Sequence, residues 1–100
     1  MHPDGDAVRM RVVRLDGLHI RTKRELLNAL ANALEFPDYF GRNWDALDEC
    51  LGDIEAPTLV EWSHSDRYAE SDPEGYAVAL SCFADTEAPV ELRLVNPAGH

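Results

Sequence analysis

Val90-Glu91-Leu92-Arg93-Leu94 alternates apolar and charged residues at period two. A strand with that pattern buries one face and turns the other to water. Strands covered by helices on both faces read as continuous apolar runs instead. The pentapeptide therefore predicts a sheet with helices mainly on one face, a two-layer α/β sandwich. Ala7 to Leu15 repeats the signature near the start of the chain: Val8, Met10 and Val12 alternate with Arg9 and Arg11 and give one apolar face. Thr58 to Trp62 reads as the strand between them.

The connections carry helices. Asp16-Gly17 marks a turn. Thr22-Lys23-Arg24-Glu25 matches a capping box, in which Thr22 accepts from a first-turn amide and Glu25 reaches back. Leu26, Leu27, Leu30 and Leu34 follow at helical spacing, and Pro37 is expected to stop that helix by pushing Phe36 out of helical dihedrals. Asn43 is an N-cap for a second helix running to about Leu51, with Gly52 as terminator. Asp72-Pro73-Glu74 opens a third, with Asp72 as cap and Pro73 in the first turn. Tyr76, Ala79, Leu80 and Phe83 form its buried stripe, and Pro89 closes the connection. The order is strand, two helices, strand, helix, strand. Helix-containing connections of this length favour parallel strands with right-handed crossovers.

The chain has 100 residues, room for a single domain over 1–100 with an ordered core at about 7–95. Nineteen Asp and Glu stand against nine Lys and Arg, a net charge of −10. That balance repels nucleic acid and anionic lipid and makes a basic protein the favoured partner. Met1–Asp6 has no apolar stretch of a signal peptide, and no run approaches the ~20 apolar residues of a membrane span. A soluble, cytoplasmic protein is expected. Cys50 and Cys82 fall in helix-like apolar patterns and read as small buried hydrophobes with reduced thiols. Lys23 is the single lysine, an arginine bias that hints at a GC-rich, bacterial coding sequence. There is no glycine-rich phosphate loop, no His/Cys metal spacing and no nucleophile motif. His2, His19, His64 and His100 are scattered and read as surface residues. No cofactor, no metal and no catalytic residue is expected.

Asp38 to Glu55 holds Asp38, Asp45, Asp48, Glu49, Asp53 and Glu55 against one cation, Arg42. On a helical wheel, Trp44, Leu47, Cys50, Leu51 and Ile54 share one sector and Asp45, Asp48 and Glu49 the opposite one. Like charges three and four residues apart destabilise a helix slightly, and no Lys or Arg relieves Asp45 and Glu49. Two readings stand. The acids form a solvated face with Asp45 complementing the helix dipole, or they form a docking face for a cationic surface, standing in for the phosphates of a nucleic acid.

The segment Leu34-Glu35-Phe36-Pro37-Asp38-Tyr39-Phe40-Gly41-Arg42-Asn43-Trp44-Asp45-Ala46-Leu47 closely resembles the barstar family signature, a hydrophobic residue followed by Pro-x-Tyr-aromatic-Gly-x-Asn-x-Asp-Ala-Leu. Asp16-Gly17 with Ile20, Thr22 and Glu25-Leu26 fits upstream, and Leu59-Val60-Glu61-Trp62 fits downstream, so the resemblance covers about residues 8–95. It implies a three-stranded parallel sheet packed on helices. It implies an intracellular inhibitor, not an enzyme, of a secreted guanyl-preferring ribonuclease of the barnase type, bound 1:1. In the family the second helix and the loop before it plug the nuclease active site. Carried over by position, Tyr39 is the contact tyrosine and Gly41 and Asn43 are loop contacts. Asp45 is the first aspartate of the second helix, which meets basic active-site residues. Trp44 falls where the family often has leucine. Glu49 falls where the family's prototype has the aspartate of the phosphate site, and Asp48 where it has tryptophan. A later glutamate contact aligns loosely with Asp85. With those departures, the cognate enzyme need not be barnase itself, and a barstar-like acidic module for another basic protein is the alternative.

Overall fold

A computed structural model describes residues 10–37 and 40–95. Three parallel strands, β1 (Arg11–Asp16), β2 (Thr58–Ser63) and β3 (Val90–Val95), lie in the order β1-β2-β3. Four helices fill the connections: α1 (Lys23–Leu34), α2 (Trp44–Gly52), α3 (Ser65–Ser71) and α4 (Pro73–Asp85). The expected α/β fold with a three-stranded parallel sheet is the one observed.

The strand register sorts the side chains into two layers. Val13, Val60 and Leu92 lie in one row and Leu15, Trp62 and Leu94 in the next, all on one face. Leu26, Leu27 and Leu30 of α1, Leu47 and Leu51 of α2, Tyr68 of α3 and Ala79 and Phe83 of α4 pack into the same core as Leu15, Val60 and Trp62. The opposite face carries a charged row: Glu61 accepts from Arg14 Nε at 3.0 Å and from Arg93 Nη1 at 3.4 Å. Ion pairs this exposed contribute little stability. They mark a face that, among the described residues, no helix covers.

The first strand is oriented opposite to the expectation. Met10 and Val12 are each 44% exposed, and Val13 and Leu15 face the core instead. Valines at both 12 and 13 make either phase apolar, and the register of Leu15 beside Trp62 settles which is buried. Val8 and Arg9 lie outside the described residues. After β1, Asp16 Oδ1 accepts from the Leu18 amide at 3.0 Å and opens a 3-10 turn, Gly17–His19. A Cβ on Gly17 would collide with the Ser63 and His64 carbonyls, so the turn requires glycine for close approach to the end of β2.

The capping box of α1 forms as expected, with the Glu25 amide donating to Thr22 Oγ1 at 3.1 Å and the Thr22 amide to Glu25 Oε1 at 3.2 Å. The helix ends before Pro37 acts. Glu35 is left-handed (φ 59°), and the Phe36 amide closes onto the Ala31 carbonyl at 2.9 Å, a Schellman-type stop. Arg11 Nη2 caps the Ala33 carbonyl at 3.1 Å and pairs with Glu35 at 3.3 Å. Likewise α2 ends at Gly52 without a left-handed glycine; Asp53 is the C-cap in a right-handed conformation.

The helix α3 was not anticipated. Its seven residues bury only Ser65 and Tyr68, and its N-cap, His64, is left-handed and makes no side-chain cap bond. His64 is not the surface residue expected: it is half-buried, and its Nδ1 has no hydrogen-bond partner among the described residues. His19 is exposed, and His2 and His100 lie outside the described residues. Asp72 caps α4 through the Gly75 amide at 3.1 Å and accepts from the buried Tyr68 hydroxyl at 2.9 Å. That hydroxyl carries a raised pKa, from burial first and then from Asp72 as hydrogen-bond partner and charge.

Candidate functional site

Just ahead of α2, Phe40 and Arg42 are held by packing and hydrogen bonds within the protein. Phe40 is buried and its ring centroid lies 5.0 Å from that of Phe36. Arg42 takes a left-handed conformation (φ 53°) that turns its side chain back over the loop. Its Nη1 donates to the Phe40 carbonyl at 3.0 Å, its Nε to Asn28 Oδ1 on α1, and its guanidinium sits 5.3 Å from the Phe40 ring centre. The one cation between Asp38 and Glu55 is thereby spent within the protein, tying the loop to α1.

Asn43 is the N-cap, accepting from the Ala46 amide at 2.7 Å and donating through Nδ2 to the Gly41 carbonyl at 3.3 Å. A Cβ at Gly41 would come within 3.2 Å of that amide nitrogen, so a small residue keeps the cap free. Trp44 is half-buried against the core, with the Lys23 ammonium 5.3 Å over its ring. From there the wheel holds. Leu47 and Leu51 are fully buried, and Asp45, Asp48 and Glu49 are exposed on the outer side.

The cysteine thiols report on these acids. Burial raises the Cys82 pKa first, and Asp48, Asp85 and Asp45 raise it further. Asp48 and Asp45 of α2 and Asp85 at the end of α4 thus bear on one buried thiol. The Cys50 thiol is likewise raised by burial, then by Asp53 and Glu49. Cys50 is half-buried rather than buried, because it lies at the margin of the apolar sector of α2. Both thiols are free.

Gly41, Asn43, Asp45, Asp48 and Glu49 are exposed, Trp44 is half-buried, and all six lie in or just before α2. Tyr39 and Asp38 lie outside the described residues. Sequence reasoning missed Arg42 and Asn28 as the clamp on the loop and Lys23 as the partner of Trp44. The lone cation in an acidic segment was the available signal for Arg42; its left-handed backbone was not readable. Among the described residues, no group of three or more His, Cys, Asp and Glu could hold a metal ion. No helix among them is long and apolar enough to cross a membrane.

A family model described as Barstar (barnase inhibitor) matches residues 10–97. The chain belongs to the barstar family. It is also similar to a protein of Bacillus subtilis (strain 168) named "Putative ribonuclease inhibitor YrdF", at 45% identity over 53 residues. That match covers 51% of this chain and 58% of the relative, so the chain spans little more than half the length of the curated relative it matches.

Proposed function

We propose that this protein inhibits a ribonuclease, and more narrowly a secreted guanyl-preferring ribonuclease of the barnase type. It does so by seating α2 and the loop before it in the enzyme's basic active site. The complex is 1:1, needs no cofactor and involves no chemistry by the inhibitor, which is not an enzyme. It acts in the bacterial cytoplasm as immunity against the host's own toxic nuclease. Membership of the barstar family and the name of the B. subtilis relative support the ribonuclease.

The observation that carries the reading is the exposure of Asp45, Asp48 and Glu49 on a helix whose other side is locked by Leu47 and Leu51, with Arg42 withdrawn from the face. A rigid row of carboxylates supplies the charge that a phosphate backbone presents, without a bond to cleave. Asp45 and Glu49 pair with active-site cations, and Asp48 adds charge between them. Tyr39, Gly41, Asn43 and Trp44 give the shape around the acids, with Asp85 at the rim. The longer stem of Glu49 and the charge of Asp48, where the family's prototype has Asp and Trp, favour a cognate enzyme other than barnase. They also keep open a basic target of another kind.

The test is a titration of guanyl-preferring ribonucleases with the purified protein. Loss of activity that reaches completion at one equivalent supports the proposal. If every such nuclease stays active at micromolar inhibitor while a different basic protein is bound, the module reading replaces it.

A further inference from the structure

β3 is an edge of the sheet, and among the described residues no strand pairs with its outer side. The Thr58 amide donates to the Pro89 carbonyl at 2.9 Å, which sets the phase of the strand. Pro89, Glu91 and Arg93 turn their backbone groups toward β2, and Val90, Leu92 and Leu94 turn theirs to the free edge. The Val90 amide is taken by the Ala88 carbonyl at 2.8 Å. The N–H groups of Leu92 and Leu94, and the carbonyls of Val90, Leu92 and Leu94, lie along the open edge.

Proteins often blunt such edges with short strands, charged side chains, especially lysine, or proline. Here Pro89 precedes the strand, and the two charges it carries, Glu91 and Arg93, are of opposite sign and symmetric about Leu92, so they can pair across a two-fold. We propose that β3 is a self-association surface, on which a second copy of this chain adds antiparallel about a two-fold axis at Leu92. Two three-stranded sheets then become one continuous sheet.

The charge complementarity selects both partner and register. With the axis at Leu92, Glu91 of each copy lies opposite Arg93 of the other. Moving the axis one residue either way sets Glu91 against Glu91 or Arg93 against Arg93. The hydrogen-bond phase agrees. Leu92 faces its own copy as a hydrogen-bonded pair, and each Leu94 N–H meets the opposite Val90 carbonyl. Glu91 and Arg93 then occupy non-hydrogen-bonded positions, where opposing Cα atoms are only about 4.5 Å apart and side chains approach closest. Arg93 already bonds Glu61 at 3.4 Å, so the row Arg14, Glu61, Arg93 continues into Glu91 of the second copy. On the helix side, Leu94, 40% exposed in the single chain, is covered by the opposite Val90. Leu80, Phe83 and Leu92 line an open groove of about 500 Å³ beside it. The surface is not α2, so this inference stands apart from the inhibitor reading.

The experiment combines sedimentation equilibrium with amide hydrogen exchange from about 10 µM to about 1 mM protein, the range in which small interfaces associate. The expected mass rises from 11.2 kDa toward twice that value, and protection at the Leu92 and Leu94 amides rises with it. Glu91→Arg, at an exposed position, weakens association roughly tenfold or more by replacing two attractive pairs with two repulsive ones. The double swap Glu91→Arg with Arg93→Glu restores it. A constant 11.2 kDa with unprotected Leu92 and Leu94 amides throughout the range overturns the proposal. So does a dimer that Glu91→Arg leaves intact, which would place the contact on another face. The exchange measurement on the parent protein stands even if a variant folds poorly.

Discussion

The Arg42 guanidinium lies 5.3 Å from the centre of the Phe40 ring and donates to the Phe40 carbonyl at 3.0 Å. An arginine in the middle of an acidic segment thus serves its own loop. The same side chain reaches Asn28, so residue 42 at the end of the loop before α2 is held to α1. A preordered loop loses less conformational freedom on binding.

Arg42→Ala should therefore act twice. Stability falls by about 1 kcal/mol through the lost charge-assisted hydrogen bonds. Inhibition weakens by about 1 kcal/mol because the loop must be ordered on binding. Urea titration and inhibition constants on the same variant check both. A variant with unchanged melting and unchanged inhibition contradicts the clamp.

Leu47→Ala should do the opposite of the acidic-face variants. Leu47 is fully buried under α2, so truncation opens a core cavity and costs about 2–5 kcal/mol of stability. At temperatures where the variant remains folded, inhibition should change far less, because the exposed acids are untouched. Equilibrium unfolding in urea measures the first and a nuclease assay the second.

Much of this was legible in the sequence. Charge alternation in Val90–Leu94 announced the uncovered sheet face, and Thr22 with Glu25 announced the start of α1, because both signals are local. The buried phase of β1 was not legible: Val12 and Val13 offer equal hydrophobicity to either side, and only pairing with β2 chooses. Glu35 hid the end of α1, since the left-handed stop is usually marked by glycine. The helix α3 was hidden because a seven-residue helix with one buried aromatic and no cap carries almost no periodic signal. At the candidate site, the helical wheel separated Asp45, Asp48 and Glu49 from Leu47 and Leu51 correctly. The joint bearing of Asp45, Asp48 and Asp85 on the Cys82 thiol depends on how α4 packs on α2, which no local pattern encodes.

Stability should fall in alkali. Burial raises the pKa of the Cys50 and Cys82 thiols, and burial with Asp72 raises that of the Tyr68 hydroxyl. The folded state therefore keeps protons that the unfolded chain releases near pH ~8.5 for thiols and ~10 for tyrosine. Their contribution is fully present below those values and is lost as pH rises past them. Thermal melts from pH 7 to 10.5 should show a falling Tm, and Cys82→Ala and Tyr68→Phe should each flatten part of the decline. A flat profile in the parent contradicts the assignment.

Association with the nuclease should be fast and salt-dependent. Clustered exposed carboxylates steer a cationic partner, behaviour for which the barnase–barstar pair is the established case. Stopped-flow rates should drop roughly tenfold or more between low and high ionic strength. Dissociation should respond less, because desolvated pairs are poorly screened. An association rate indifferent to salt rules out steering by this face.

The central claim is that the exposed acids of α2 serve binding and not folding, and inhibition by Asp45→Ala and Glu49→Ala tests it most directly. Both side chains point away from Leu47 and Leu51, so neither truncation opens a cavity. Removing Glu49 relieves its repulsion with Asp45, so stability stays level or rises slightly. In the complex each deletion strands a buried cation, at a cost of roughly 2–5 kcal/mol, a magnitude taken from charge pairs of this kind with the barnase–barstar complex among them. The account predicts unchanged melting and inhibition constants against a cognate ribonuclease weakened by a factor of about 30 or more, the lower end of that range. Two variants that inhibit as tightly as the parent would reduce the acidic face to a solvated helix surface.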